Sequence, residues 1–366
     1  MKVLILGAGA SKEAGYPVAA ELMPTIEVDA KRSGNAVLRD AWQHWEETKN
    51  KAPGALRLLL DDPNPEVVIS VLDLCGMSYF AKPERAVRAD RLDEFLSRAI
   101  SDGKIPDDWF TSPNAKWLYD ADTARFRLLD CLIAYFDWKH YEDWSSSPDR
   151  REYLRRELTK LRPGDVVITT NWDTGGERTL FEAGLWSPRD GYGFTRDLRG
   201  ESDQPVGGVF ANPSKILVLK LHGSVGWYRS GDEIYLANDF LQRFAGPDEE
   251  AVYDPAALRR GAKPDYDPVI AYPSFLKKLD GSAILNIWQF ADAALRQTDE
   301  IEVWGYSLPP SDSAIRALMN PLRERLQKGQ VRVYVHVPFD DVEAKKTRWR
   351  WKIFLPGAQV DKAKLG

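Results

Sequence analysis

Cysteine is nearly absent: the 366 residues hold two, Cys75 and Cys131. They form no CxxC pair and no Cys/His cluster, which excludes a disulfide framework and the ligand spacing of a structural zinc site. No apolar run approaches the roughly 18 residues that a membrane helix needs. There is no low-complexity tract and no internal repeat. The first residues carry no basic segment and no small-residue cleavage site, so the expected location is the cytoplasm, a reducing compartment. Cationic excess is missing too: the net charge of -5 gives no global reason to expect direct nucleic-acid binding.

What remains is the composition of an ordinary globular chain, 43% hydrophobic and 29% charged. Its length suffices for one large α/β core with insertions, or for two domains. The thirteen tryptophans, four of them from Trp109 to Trp144, read as core or interface.

Hydrophobic patterning alternates between the two periods. Residues 2–6 form an apolar strand running into a Gly-rich turn, and residues 12–22 read as a helix with Pro17 near its beginning. A second unit opens at the Ser147-Pro148 cap, continues as a helix over 149–161, turns at Pro163-Gly164 and enters a strand over 166–170. A third strand, 215–221, is apolar on both faces. Then follow a helix over 283–295, a strand over 300–304, a helix over 311–326 and a strand over 331–337. Such alternation predicts a doubly wound parallel α/β sheet with helices on both faces. Between the first turn and the second unit, helices are expected over 65–74, 91–100 and 123–138. The stretch 228–268 reads as a loop with a small hairpin at 233–236.

Polar residues cluster where these strands end, the edge at which doubly wound sheets bind ligands. Gly7-Ala8-Gly9-Ala10-Ser11 suits a diphosphate, because glycines let backbone approach and a helix N-terminus offers free N–H groups; it also suits a plain tight turn. The third glycine of a GxGxxG motif is replaced by Lys12. Thr169-Thr170-Asn171-Trp172-Asp173 sets an amide and a carboxylate just past a strand. Asn171 has the groups to pair with both donor and acceptor of a carboxamide, or to orient a water, and Asp173 favours positive charge on a sugar ring; both are equally at home as helix caps. His222-Gly223-Ser224 offers a base tunable near neutral pH, whereas His44, His140 and His336 lie in no comparable motif. Trp304-Gly305-Tyr306-Ser307-Leu308-Pro309 closes another strand, with Asp312 beyond it.

In this order and spacing, GAGAS, TTNWD, KLHGS and GYSLPPSD resemble the SIR2-like family over about residues 2–338, with the helical insertion outside the resemblance. Asn64-Pro65-Glu66 also resembles a helix start common in bacterial members. The resemblance implies a Rossmann-like fold with NAD as substrate. Gly7, Ala8, Gly9 and Ser11 are then expected at the NAD diphosphate. Asn171 and Asp173 fall at the nicotinamide ribose and His222 is the base. Thr170, Gly223, Ser224, Gly305 and Ser307 complete the NAD-binding set. The family's deacylases carry four zinc-binding cysteines and a Phe-Arg after the first motif; here Gly15-Tyr16-Pro17 runs on as Val18-Ala19-Ala20 and no metal is expected.

The resemblance therefore points to the branch similar to bacterial antiphage effectors, which hydrolyse NAD to nicotinamide and ADP-ribose. A non-catalytic NAD or ADP-ribose binder, a protein ADP-ribosyltransferase and a conventional oxidoreductase are the competing readings. The expected limits are 1–30 with 147–340 for the NAD-binding domain, 31–146 for a helical insertion and 341–366 for a C-terminal extension. Expected partners, besides NAD, are further copies of the chain or a sensor protein, with no membrane.

Overall fold

A computed structural model describes residues 1–12, 14–52, 54–79, 121–140, 152–188, 191–192, 216–230, 233–236, 267–270, 282–309, 312–337 and 341–362. In chain order the first elements are β1 (Lys2–Leu6), α1 (Ala8–Ser11), α2 (Ala19–Arg32), α3 (Ala36–Asn50), α4 (Gly54–Leu60), α5 (Pro65–Tyr79) and α6 (Ala121–Trp138). Next come α7 (Glu152–Leu158), β2 (Val166–Thr169), α8 (Gly175–Glu182), β3 (Leu217–Lys220), β4 (Gly223–Ser230), β5 (Glu233–Leu236) and β6 (Asp267–Ile270). The chain closes with α9 (Ser282–Gln297), β7 (Glu300–Trp304), α10 (Ser313–Met319), α11 (Leu322–Gln327), β8 (Arg332–Val337), α12 (Val342–Phe354) and β9 (Gln359–Lys362).

The chain divides into two units, one of Met1–Tyr16, Lys139–Pro273 and Lys278–Gly366, the other of Pro17–Trp138 with Ser274–Lys277. The sequence reading drew the helical segment's limits at 31 and 146 instead. In the first unit, β1, β2 and β3 are short aliphatic runs without alternation, and β2 and β3 are buried along their whole length. Strands of that kind need cover on both faces and so belong in a parallel sheet. Each buried Val, Leu or Ile contributes roughly 1.5–3 kcal/mol of burial, which makes these runs the anchor of the unit's core.

The resulting six-stranded sheet has the order β3-β2-β1-β7-β8-β9, and every pairing in it is parallel. This is the dinucleotide-fold order 3-2-1-4-5-6, whose direction of winding reverses between β1 and β7. The expected Rossmann-like α/β class is thus what the chain adopts. Register aligns the strand ends: Lys220 pairs with Thr169, Thr169 with Leu6, Leu6 with Trp304, Trp304 with His336, and His336 with Asp361. Every sequence motif begins in this row or one residue beyond it.

Three elements differ from expectation. The helix expected over 12–22 is instead the single turn α1 followed, after Gly15 at φ +89° and an extended Val18, by α2 from Ala19. The helix expected over 311–326 breaks into α10 and α11, because Pro321 lacks the N–H that a continuous helix needs there. Residues 341–366, expected as an extension, include α12 and β9, and β9 is the sheet's sixth strand. The hairpin expected at 233–236 belongs to a three-stranded antiparallel sheet ordered β5-β4-β6. The helix expected at 91–100, the Ser147-Pro148 cap and most of the loop over 228–268 lie outside the described residues.

The described part of the second unit is helical. Asn35 caps α3 by accepting the Leu38 N–H at 2.9 Å, and Leu38, Ala41, Trp42 and Trp45 then fall on one buried face. That helix packs against α6, which buries Leu128, Leu132 and Tyr135.

Candidate functional site

Two turns meet backbone to backbone where the sheet's winding reverses. Gly7 donates its N–H to the Trp304 carbonyl at 2.9 Å, and Gly9 donates to the Gly305 carbonyl at 3.0 Å. A Cβ on Gly7 would lie 2.5 Å from Tyr306 Cα, and one on Gly9 2.9 Å from the Gly305 oxygen. Gly305 sits at φ +63°, and a Cβ there would collide with the Ala10 nitrogen. The glycines of both motifs are required by this crossing before any ligand is considered. They bring Gly7–Ser11 and Gly305–Ser307 onto one edge.

Thr170 continues the strand ladder by donating its N–H to the Leu6 carbonyl at 3.3 Å. Asn171, next to it, is 8% exposed. Its Nδ2 donates to the Gly7 carbonyl at 3.1 Å and to Ser11 Oγ at 3.0 Å. A carbonyl can only accept, so the amide orientation is settled and both N–H groups are consumed. Oδ1 is left as a buried acceptor with no partner among the described residues. The sequence reading gave Asn171 both donor and acceptor duties toward a carboxamide; only the acceptor remains. That acceptor suits an O–H donor such as a ribose hydroxyl or a water, or one amide N–H.

Asp173 is buried at 7% exposure and faces inward. Its Oδ1 accepts the Gly175 N–H at 2.9 Å, and Ser11 supplies a second hydrogen bond. Burial pushes this carboxyl above the ordinary carboxylate range, against the opposing pull of Lys220 and those hydrogen bonds. Around Ser11, Asn171, Asp173 and Glu177 lies a cavity with room for about one water, closed by Leu154, Leu180 and Val218. Ser11, expected at a diphosphate, thus spends its hydroxyl inside this cluster.

His222 is 3% exposed and its Nε2 stands 3.7 Å from Asp312 Oδ2, itself on a residue 2% exposed. The Tyr306 hydroxyl donates to the same Asp312 oxygen at 2.6 Å. The Trp351 indole N–H of α12 in turn donates to the Tyr306 carbonyl at 2.9 Å. The sequence reading noted Asp312 only as a residue of the following helix; what identifies it as a histidine partner is the turn 305–309 that carries it back. Within that turn Leu308 adopts φ +51°, and Arg316 holds its carbonyl at 2.7 Å.

Gly223, at φ +73°, swings the chain from the His222 turn into β4. Ser224 Oγ and the Val225 N–H both reach the Trp172 carbonyl, at 3.4 and 3.1 Å, which ties the His222 segment to the Asn171 segment. Ser307 is half-buried, its carbonyl taken by Arg350 of α12 at 3.1 Å. Beside Asp173, Thr174 Oγ1 lies 2.9 Å from Nδ1 of buried His140, whose Nε2 lies 3.1 Å from Arg178 Nη1. Arginine can only donate, so Nε2 accepts and the His140 proton sits on Nδ1.

Sequence reading missed Lys220 and Glu177. Lys220 is fully buried, donates to the Asp173 carbonyl and pairs with Glu177 Oε1 at 2.7 Å. The signal was present in KLHGS, where a lysine stands among strand residues expected to be buried. The described residues hold no group of His, Cys, Asp and Glu arranged to bind a metal ion.

No family model and no curated protein matches the chain. Among solved structures, a chain reported under the heading "Structural Basis for the Mechanism and Regulation of Sir2 Enzymes" is similar at 13% identity, covering 62% of this chain and 80% of that one, with a TM-score of 0.25. At that score the likeness carries no weight in the functional reading, and the fold class rests on strand order and register.

Proposed function

We propose that the chain is a SIR2-like NAD hydrolase, cleaving NAD and water to nicotinamide, ADP-ribose and a proton. The observation that carries this reading is the gathering of the Asn171 acceptor and the His222–Asp312 pair beyond the strand ends of a 3-2-1-4-5-6 sheet. Sheets of this order bind dinucleotides at the reversal between β1 and β7, an argument from fold analogy that locates a ligand without naming the reaction. The four ordered motifs supply the name of the ligand.

The scissile bond joins ribose C1′ to a cationic pyridinium nitrogen. As it breaks, its electron pair goes to that nitrogen, nicotinamide departs neutral, and positive charge develops on the ribose as in glycoside hydrolysis. No acid is needed for departure. The protein's tasks are to hold the ribose, place a water at C1′ and take the proton that the water loses as its oxygen bonds carbon. Asn171 Oδ1 accepts from the water or a ribose hydroxyl, His222 takes the proton, and Asp312, braced by Tyr306, orients His222. Gly7–Ser11, Thr170, Gly223–Ser224, Gly305 and Ser307 border the bound dinucleotide in this reading.

The proposed role is NAD depletion in antiphage defence in the cytoplasm, restrained through the helical unit by self-assembly or a sensor partner. Chromatography of nicotinamide and ADP-ribose, over a wide range of protein concentration and beside His222→Ala and Asn171→Ala, tests it. Release abolished in both folded variants supports hydrolysis. NAD bound in calorimetry but never cleaved makes the chain either an effector silenced until its partner binds or a non-catalytic binding module.

A further inference from the structure

We infer that Lys220 and Glu177 are a positioning pair that fixes the orientation of the Asn171 side chain, an inference that rests on the hydrolase reading for its kinetic consequence. A lysine with no exposed surface is rare unless paired, and here the pair is with Glu177, 3% exposed, from the first turn of α8. The Tyr192 hydroxyl donates to the same Glu177 oxygen at 3.1 Å. Lys220 also donates to the carbonyl of Asp173. One ammonium thus joins the end of β3, the loop that follows β2, and the start of α8.

From that carbonyl the contacts lead directly to Asn171. The Asp173 carboxyl takes the Gly175 N–H and the Ser11 hydroxyl, and Ser11 Oγ takes one N–H of Asn171. The other N–H goes to Gly7, so turning the amide over would set its Oδ1 against the Gly7 carbonyl. Asn171 keeps its Oδ1 as the unpaired acceptor only while Ser11 and Gly7 hold the donors, and Ser11 is held through Asp173. A hydrophobic replacement at this depth is often as stable as an ion pair, so the pair's worth lies in this placement.

The test uses the full chain labelled with nitrogen-15 at asparagine, with thermal melting to identify folded variants. Lys220→Met combined with Glu177→Gln removes both charges at similar volume, and Glu177→Gln alone is the milder change. Solvent exchange of the Asn171 side-chain NH2, assigned by its loss in Asn171→Ala, is read beside kcat and KM for nicotinamide release. The expected result is faster exchange and a kcat lowered about a hundredfold with KM little changed, as misplacement of a reacting group predicts.

A folded double variant with wild-type exchange and wild-type kcat overturns the inference. If the double variant does not fold, Glu177→Gln decides by the same two readouts. If the wild-type chain releases no nicotinamide, the exchange rates alone decide whether the pair fixes Asn171.

Discussion

Gly9 donates its backbone N–H to the Gly305 carbonyl at 3.0 Å, a contact between residues almost three hundred positions apart. It closes the crossing of the two turns at which the sheet's winding reverses. Gly305→Ala places a methyl group against the Ala10 nitrogen at a backbone φ of +63°. Left-handed strain and overpacking together amount to about 2–5 kcal/mol. The expected outcome is a lower melting temperature with loss of NAD binding, whereas Gly329→Ala, at a similar φ but in open space, costs about 1 kcal/mol. Melting of the two variants side by side checks this.

That crossing marks what a sequence conveys and what it does not. The strands β1, β2 and β3 were legible as aliphatic runs and β7 and β8 as alternating apolar and polar residues, and the motif residues at their ends were legible as polar breaks. The partner of each polar residue was not. Gly7 and Gly9 read as a phosphate cradle because the residue filling the space above them, Gly305, is remote in sequence. Asp312 read as a helix residue for the same reason, since only the turn through Leu308 returns it to His222. β9 was invisible because Gln359–Lys362 has little apolar character of its own and is held by pairing with β8.

Asp312 beside His222 carries a kinetic consequence. Asp312→Asn keeps the shape and removes the charge 3.7 Å from the imidazole Nε2. The expected outcome is a kcat lowered by about a hundredfold or more, with the acidic limb of the pH–rate profile displaced to lower pH and KM nearly constant. Tyr306→Phe, which removes the hydroxyl donated to Asp312 at 2.6 Å, acts in the same direction more weakly. Steady-state rates between acid and mildly alkaline pH check both.

Asp173 gives stability a pH dependence of known sign. Burial raises its folded pKa above the unfolded value of about 3.9. Its contribution is therefore fully present below the unfolded pKa and is lost as pH rises through the folded one. Relative to Asp173→Asn, which has no proton to lose, the wild-type chain is expected to lose melting temperature as pH rises above the ordinary carboxylate range. Parallel melting curves for the two proteins would contradict the assignment.

Asn171→Asp exchanges an amide that donates twice for a carboxylate that cannot donate at all. The Gly7 carbonyl at 3.1 Å and the nearby Asp173 carboxyl then face a buried anion. The expected cost is about 3 kcal/mol or more, with activity lost, and part of the stability regained at low pH as the new carboxyl takes a proton. Denaturation at acid and neutral pH measures it.

The most direct test of the central claim is to run the reaction with NAD in heavy-oxygen water and weigh the products. If the chain is a hydrolase, free nicotinamide appears unlabelled, ADP-ribose carries one heavy oxygen, and His222→Ala forms neither. NAD consumed without free nicotinamide, or ADP-ribose formed without the heavy oxygen, would contradict the assignment.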